Sequence, residues 1–289
     1  MGDTHRKIQL VGNRSYAVSL PKKWVLNNRL EKSKEVKIIE RDNDLIITSK
    51  KDINQSNDKI ILVEDLQLIQ SIILISYTKG LNKLILKFKS KKDYLFAKPI
   101  VLESLSHLEG YKIRAEKNNQ IIISALYNEL NIPINDLIKR MCIIFNNMID
   151  CIIQKNDKTK EILEKELDLI YHLSKRALYI CSTDSLIMKT NKIKDLEEIF
   201  LLRLIFKKLE NIGDILEKIS KKTIERENIL LIFNSLNDCF ILNKKITIQK
   251  IQEIKKKKYN HLNNDKLKEL VVDVLNNFLL IQLNKNLFD

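Results

Sequence analysis

"LRLIFKKLENIGDILEKIS", residues 202–220, is the stretch on which the reading of the fold turns. With Ile199 ahead of it, Leu202, Phe206, Leu209, Gly213 and Leu216 recur at three- and four-residue spacing and form one stripe of a helix. A stripe of this kind is stable only when buried against other helices. Glu210 and Asp214 lie beside it, on a face shared with Arg203, Lys207 and Glu217. Two features oppose helix stability. Gly213 costs about 1 kcal/mol against alanine in a helix interior. Like charges one turn apart cost roughly a few tenths of a kcal/mol.

The helix before it repeats the spacing, since "EKELD" (164–168) sets Glu164 and Asp168 four residues apart. Short connections make consecutive bundle helices antiparallel, so the two acid pairs can face one another across a groove. Gly213 would allow that groove to close tightly. Two readings fit. Four converging carboxylates repel, and a hard or borderline cation relieves the repulsion. Alternatively, Lys207 and Lys218, three and four residues from the two acids, make this a salt-bridged solvated face. His172, one turn beyond Asp168, is read as a surface or packing residue and left outside the site.

Helical periodicity continues through residues 134–155, 157–182, 194–222, 226–243, 246–260 and 264–285. "IFNNMIDCII", from Ile144, is echoed by "IFNSLNDCFI", from Ile232, which suggests two three-helix repeats. The second repeat does not keep the acids: Gln249 and Glu253 hold one equivalent position, Asp273 and Asn277 the other. The lysine run 255–258 reads as a solvated helix face.

The front of the chain is different. "RKIQLVGNRSYAVSLP" holds two short β-patterned runs around a Gly-Asn turn signal, Pro21 opens a short helix, and "EVKIIERDNDLIITS" is a hairpin. This package is too small to close a core by itself, which implies obligate dimerisation. Residues 51–58 are polar and read as a linker. Beyond them come a helix in "LQLIQSIILISYTKG", a strand, a second helix and two strands in "EGYKIRAEKNNQIIISAL". The predicted fold class is α+β, mostly α: a small β-rich domain (1–50), a small α/β region (59–130) and a helical bundle (131–289).

The 289 residues carry a formal net charge of +14, the right sign for phosphate backbones or an anionic membrane surface. Four scattered cysteines without a CxxC pair read as reduced core residues. No apolar run is long enough to span a bilayer and the N-terminus is polar, so the expected location is cytoplasmic. No general base beyond the acids, no converging histidines and no glycine-rich phosphate cradle are visible. The expectation is therefore that the protein is not an enzyme.

The helical half resembles the PhoU family of phosphate-uptake regulators, through "ELDLIYHLSKRAL" and "LRLIFKKLENIGDILEKIS". Asn211 stands where that family usually has Arg. The resemblance implies metal ions (iron, zinc or manganese) held by Glu164, Asp168, Glu210 and Asp214. The front end resembles the AbrB/SpoVT swapped-hairpin DNA-binding domain, although Ser33, Lys34 and Glu35 replace the usual Gly-Asp before the second hairpin. There two chains interlock, and the matching basic residues are Arg6, Lys7, Arg14, Lys22 and Lys23. Arg14 is expected to read bases and the lysines to contact phosphates. The combination is similar to archaeal-type phosphate uptake regulators. It implies a homodimeric DNA-binding transcription regulator, or alternatively an adaptor that restrains phosphate transporter components, with the front domain serving only as a dimer clasp.

Overall fold

The computed structural model describes residues 6–12, 15–33, 35–41, 44–49, 58–126, 133–219, 233–242, 244–256 and 262–288. The chain divides into two compact units, Met1–Ser56 and Asn57–Asp289.

In the first unit, β1 (Ile8–Val11) and β2 (Ser15–Val18) pair antiparallel, with Ile8 opposite Val18 and Val11 opposite Ser15. Pro21 sits at the N-cap of α1 (Lys22–Asn27). Arg29, with φ of 55°, turns the chain into α2 (Leu30–Ser33). A second hairpin follows, β3 (Val36–Arg41) against β4 (Asp44–Ser49). The expected turn at 42–43 and Arg14 lie outside the described residues. The hairpins form separate two-stranded sheets, with no ladder between them among the described residues. Among the described residues Leu30, 6 % exposed, is the buried hydrophobic residue here, whereas Ile8 is 69 % and Tyr16 72 % exposed. An isolated two-stranded hairpin is marginal in water.

The second unit opens with a four-stranded sheet. β5 (Asp58–Leu62), α3 (Ile69–Thr78), β6 (Lys83–Lys87), α4 (Lys91–Ser106), β7 (Tyr111–Lys117) and β8 (Gln120–Ala125) assemble in the order β5-β6-β8-β7. β5 and β6 are parallel; the other pairs are antiparallel. Alternation is clean in β6 and β8, where Leu84, Leu86, Ile121 and Ile123 are fully buried and join a core with Ile69, Ile73 and Val101. β5 was not expected from the sequence. It is an edge strand of five residues with Ile60 and Leu62 exposed, so it carries almost no inward-outward signal.

The remainder is helical: α5 (Ile134–Gln154), α6 (Asp157–Thr183), α7 (Ser185–Thr190), α8 (Leu196–Lys218), α9 (233–241), α10 (Ile248–Lys256) and α11 (Leu262–Phe288). These share one apolar core running from Ile134 to Ile281. Residues 220–232 and 257–261, parts of the expected fourth and fifth helices, lie outside the described residues. α8 begins at a capping arrangement: Asp195 accepts the Glu198 N–H at 2.8 Å, and the buried Glu198 carboxylate accepts the Lys194 N–H at 2.9 Å. Lys285 of α11 lies 2.8 Å from Glu198, tying the two helix ends together. The echoed segments meet. Phe145 and Phe233 pack with ring centroids 5.6 Å apart, and Asn146 and Asn237 exchange side-chain amide hydrogen bonds. All four cysteines are buried and free.

α6 joins the helices to the sheet region through Arg176. This side chain is 2 % exposed and has no carboxylate partner among the described residues. Its guanidinium donates to the Tyr77 carbonyl at 2.6 Å and lies 5.0 Å and 5.4 Å from the ring centroids of Tyr77 and Tyr111. One turn farther along α6, Ile180 packs against Gly80, where φ is +69° and a Cβ would come within 3.3 Å of it. A buried cation held by two rings and one carbonyl contributes through both its charge and its stem. Arg176→Ala should lower stability by about 3 kcal/mol in urea titration, and Arg176→Met, which keeps the stem volume, by clearly less.

Candidate functional site

Two surfaces carry the residues singled out in the sequence. In the first unit Arg6, Lys7, Lys22 and Lys23 are all exposed. Arg6 and Lys7 lead into β1, and Lys22 and Lys23 open α1. Exposed cations of this kind, with no acidic partner among the described residues, suit phosphate oxygens more than buried ligands. Arg14, the expected base reader, lies outside the described residues.

The second surface is the groove between α6 and α8. The helices touch at Gly213: a Cβ there would stand 1.9 Å from Leu167 Cδ2 and 3.9 Å from Phe145 Cε1. Leu167 lies between Glu164 and Asp168 in the chain, so its seating on Gly213 draws the acid pairs together. Burial, then Asp168, Glu217 and Asp214, push the Glu164 carboxyl up to about 7. Asp168 is raised first by burial, with His107 opposing and Asp214 and Glu217 adding to the rise. The structure thus couples Glu164, Asp168 and Asp214, and adds Glu217 to them.

Glu210 is placed differently. Its carboxylate pairs with Lys207, and the Lys207 ammonium lies 5.5 Å from the Tyr171 ring centroid. Lys175 lies over the same ring at 4.8 Å. Glu210 therefore sits in a basic and aromatic setting one turn away from the other acids. Among the described residues no three Asp, Glu, His or Cys side chains are grouped as a ready set of metal ligands. The donor chemistry nevertheless fits a hard or borderline cation: carboxylate oxygens from two helices, two of them protonated more readily than usual because burial and neighbouring carboxylates disfavour their charged forms.

Two neighbours of this groove add histidine chemistry. His107, at the end of α4, is near enough to Asp168 to oppose its neighbours electrostatically. Burial, with Lys175 and His107, pushes the His172 imidazole down to about 4, which leaves it neutral at physiological pH. Nothing in the spacing along the chain relates His107 to Asp168, because 60 residues and a domain's worth of folding lie between them in a register only packing sets. Glu217 could have been found, since it shares the face of Asp214 three residues on.

Two measurements probe this groove. Gly213→Ala gains helix propensity but forces Leu167 out of a packed position. The expected net loss is about 1–2 kcal/mol, reduced when Leu167→Ala is combined with it, as a double-mutant cycle in urea reads. The second test is pH. A carboxyl raised by folding keeps its proton longer in the fold than in the unfolded chain. Its contribution is therefore intact below the unfolded carboxylate range and is lost as pH rises toward 7. In chelator, Glu164→Gln should gain on wild type in thermal midpoint between about pH 5 and about pH 8; a constant difference would place Glu164 in ordinary solvent.

Comparison with known proteins touches the first unit alone. Residues 9–55 match the family model described as "Antidote-toxin recognition MazE, bacterial antitoxin". No curated protein and no solved structure matches the chain. The front of this protein is thus similar to a MazE-type domain over residues 9–55, and it is followed by a mostly helical region in which no helix among the described residues is long and apolar enough to cross a membrane.

Proposed function

We propose that this protein is a homodimeric, DNA-binding transcription regulator of phosphate uptake, whose helical bundle holds metal and couples phosphate status to DNA binding. The observation that carries the reading is the first unit. Its two hairpins leave Ile8, Leu10, Val11, Tyr16 and Val18 exposed within one chain while presenting Arg6, Lys7, Lys22 and Lys23 to solvent. Such strands need a second copy to cover them, and MazE/AbrB-type domains are dimeric and bind DNA. Two-fold symmetry then calls for paired half-sites. The net charge of +14 adds a sequence-independent attraction to the duplex.

The resemblance of the helical half to phosphate-uptake regulators supplies the effector in this reading. Glu164, Asp168, Glu210 and Asp214 would hold the metal, with Glu217 beside them, once Glu210 leaves Lys207. Bound metal supplies positive charge that relieves the carboxylates and attracts phosphate oxygens. A toxin antidote is the second reading, favoured by the description of the matched family; co-purification of a small toxin with the chain would favour it.

Two tests decide. Purified protein incubated with fragmented genomic DNA near physiological salt should retain a paired motif beside genes of phosphate uptake, with enrichment lost in Arg14→Ala. Retention without any motif would overturn the regulator in favour of an adaptor for transporter components. Protein prepared without chelator should carry iron, zinc or manganese by elemental analysis, and Glu164→Gln combined with Asp214→Asn should lose it. Metal-free wild type would remove the metal from the proposal.

A further inference from the structure

The C-terminal helices keep no matching acid pairs, and a different chemistry is gathered there. Between α9 and the start of α10 lies a cavity of about 190 Å3, lined by Ser235, Asp238, Lys244, Lys245, Thr247 and Lys250 among others. We propose that this cavity is a binding site for a phosphate-class oxyanion.

Its walls follow from local backbone geometry. The last turn of α9, Asn237–Ile241, is a π turn, and the Leu242 N–H reaches the Asn237 carbonyl at 3.0 Å. The Lys244 N–H then returns to the Asp238 carbonyl at 2.9 Å, folding the two lysines back over the helix end. A widened turn of this kind often marks a functional position. On the opposite wall Thr247 caps α10: its Oγ1 accepts the Lys250 N–H at 3.3 Å, which leaves the hydroxyl proton to donate to a guest. The opening amides of a helix lack intrahelical acceptors and favour an anion.

A separate observation points to a ligand. Ser235 is 3 % exposed, lines the cavity and has no hydrogen-bond partner among the described residues. Buried hydroxyls are ordinarily paired, and an acceptor inside the cavity would pair this one. Charge gives the ligand its sign. Lys244 is answered by Asp238 at 2.8 Å, and Lys250 lies 3.7 Å from Glu253. Lys245 has no acidic partner among the described residues, so one positive charge is left over. Lysines repel a metal ion, and the cavity is smaller than the roughly 300–1,000 Å3 of typical small-molecule sites. A tetrahedral oxyanion meets the remaining donors: Ser235 and Thr247 hydroxyls, the Lys245 ammonium and the amides at the head of α10.

As the route by which phosphate status enters the protein, this site rests on the proposed function; as a binding site it does not. The test uses the full chain in chelator, so that metal at the acid groove contributes nothing. The thermal midpoint is followed with inorganic phosphate against chloride at matched ionic strength, and methyl phosphate is tested in parallel to tell a free ion from an esterified group. The midpoint should rise with one or both phosphates over chloride. Ser235→Ala and Lys245→Ala should each weaken the apparent affinity by about tenfold. In phosphate-free buffer Ser235→Ala should be at least as stable as wild type, because the hydroxyl removed has no hydrogen-bond partner among the described residues. Equal midpoints in both phosphates and chloride, or a phosphate response undiminished in both variants, would overturn the site. A phosphate response retained while DNA selection yields no motif would uphold the pocket and reject the regulator.

Discussion

The contact between Gly213 and Leu167 governs the geometry of the helical region. α6 and α8 approach until no Cβ fits between them, and everything flanking that point is brought close as a consequence. Glu164 and Asp168 bracket Leu167; Asp214 follows Gly213 and Glu217 lies three residues beyond. One packing event therefore both excludes water from the apolar stripe and concentrates negative charge at its margin. The glycine is explained by packing alone, without reference to any ion. The raised Glu164 carboxyl is the electrostatic cost of the same contact, and it is the feature that packing does not relieve.

The sheet region is bound into this arrangement rather than appended to it. Arg176 extends from the helix that carries Glu164 and Asp168 and is held between Tyr77 and Tyr111 of the sheet layer. The Tyr111 hydroxyl donates in turn to the Leu81 carbonyl, and burial pushes the Tyr77 phenol up. With the sheet fixed on α6, the end of α4 brings His107 within electrostatic reach of Asp168. The surroundings of the acid groove are thus drawn from two layers separated in sequence, which gives any ligand there a way to act on both.

The first unit obeys a different constraint. Its strands are short, Leu30 is its buried hydrophobic side chain among the described residues, and Ile8, Leu10, Val11, Tyr16 and Val18 are exposed. The basic side chains at the entry to β1 and at the head of α1 are exposed to solvent.

Residue pattern alone determined much of this. The stripe through Leu202, Phe206, Leu209 and Leu216 dictated α8, since 3.6-residue periodicity is set within one element. The paired β runs on either side of Gly12 and Pro21's place before α1 were likewise local, as turn and cap chemistry are. Matching acid spacing on neighbouring helices led to the expectation that Glu164, Asp168, Glu210 and Asp214 would share a groove, and burial with mutual repulsion links the first two to Asp214. Packing decided the rest. Whether Glu210 faces the other acids or Lys207 depends on side-chain rotation within a single turn, which spacing does not encode. β5 and His107 found their places through partners far along the chain. The cavity beside Ser235 exists because a π turn redirects Lys244 and Lys245, and no local propensity specifies that turn. Sequence fixes what an element buries; only the assembled layers decide which polar groups are left beside one another, because that depends on long-range register and close approach.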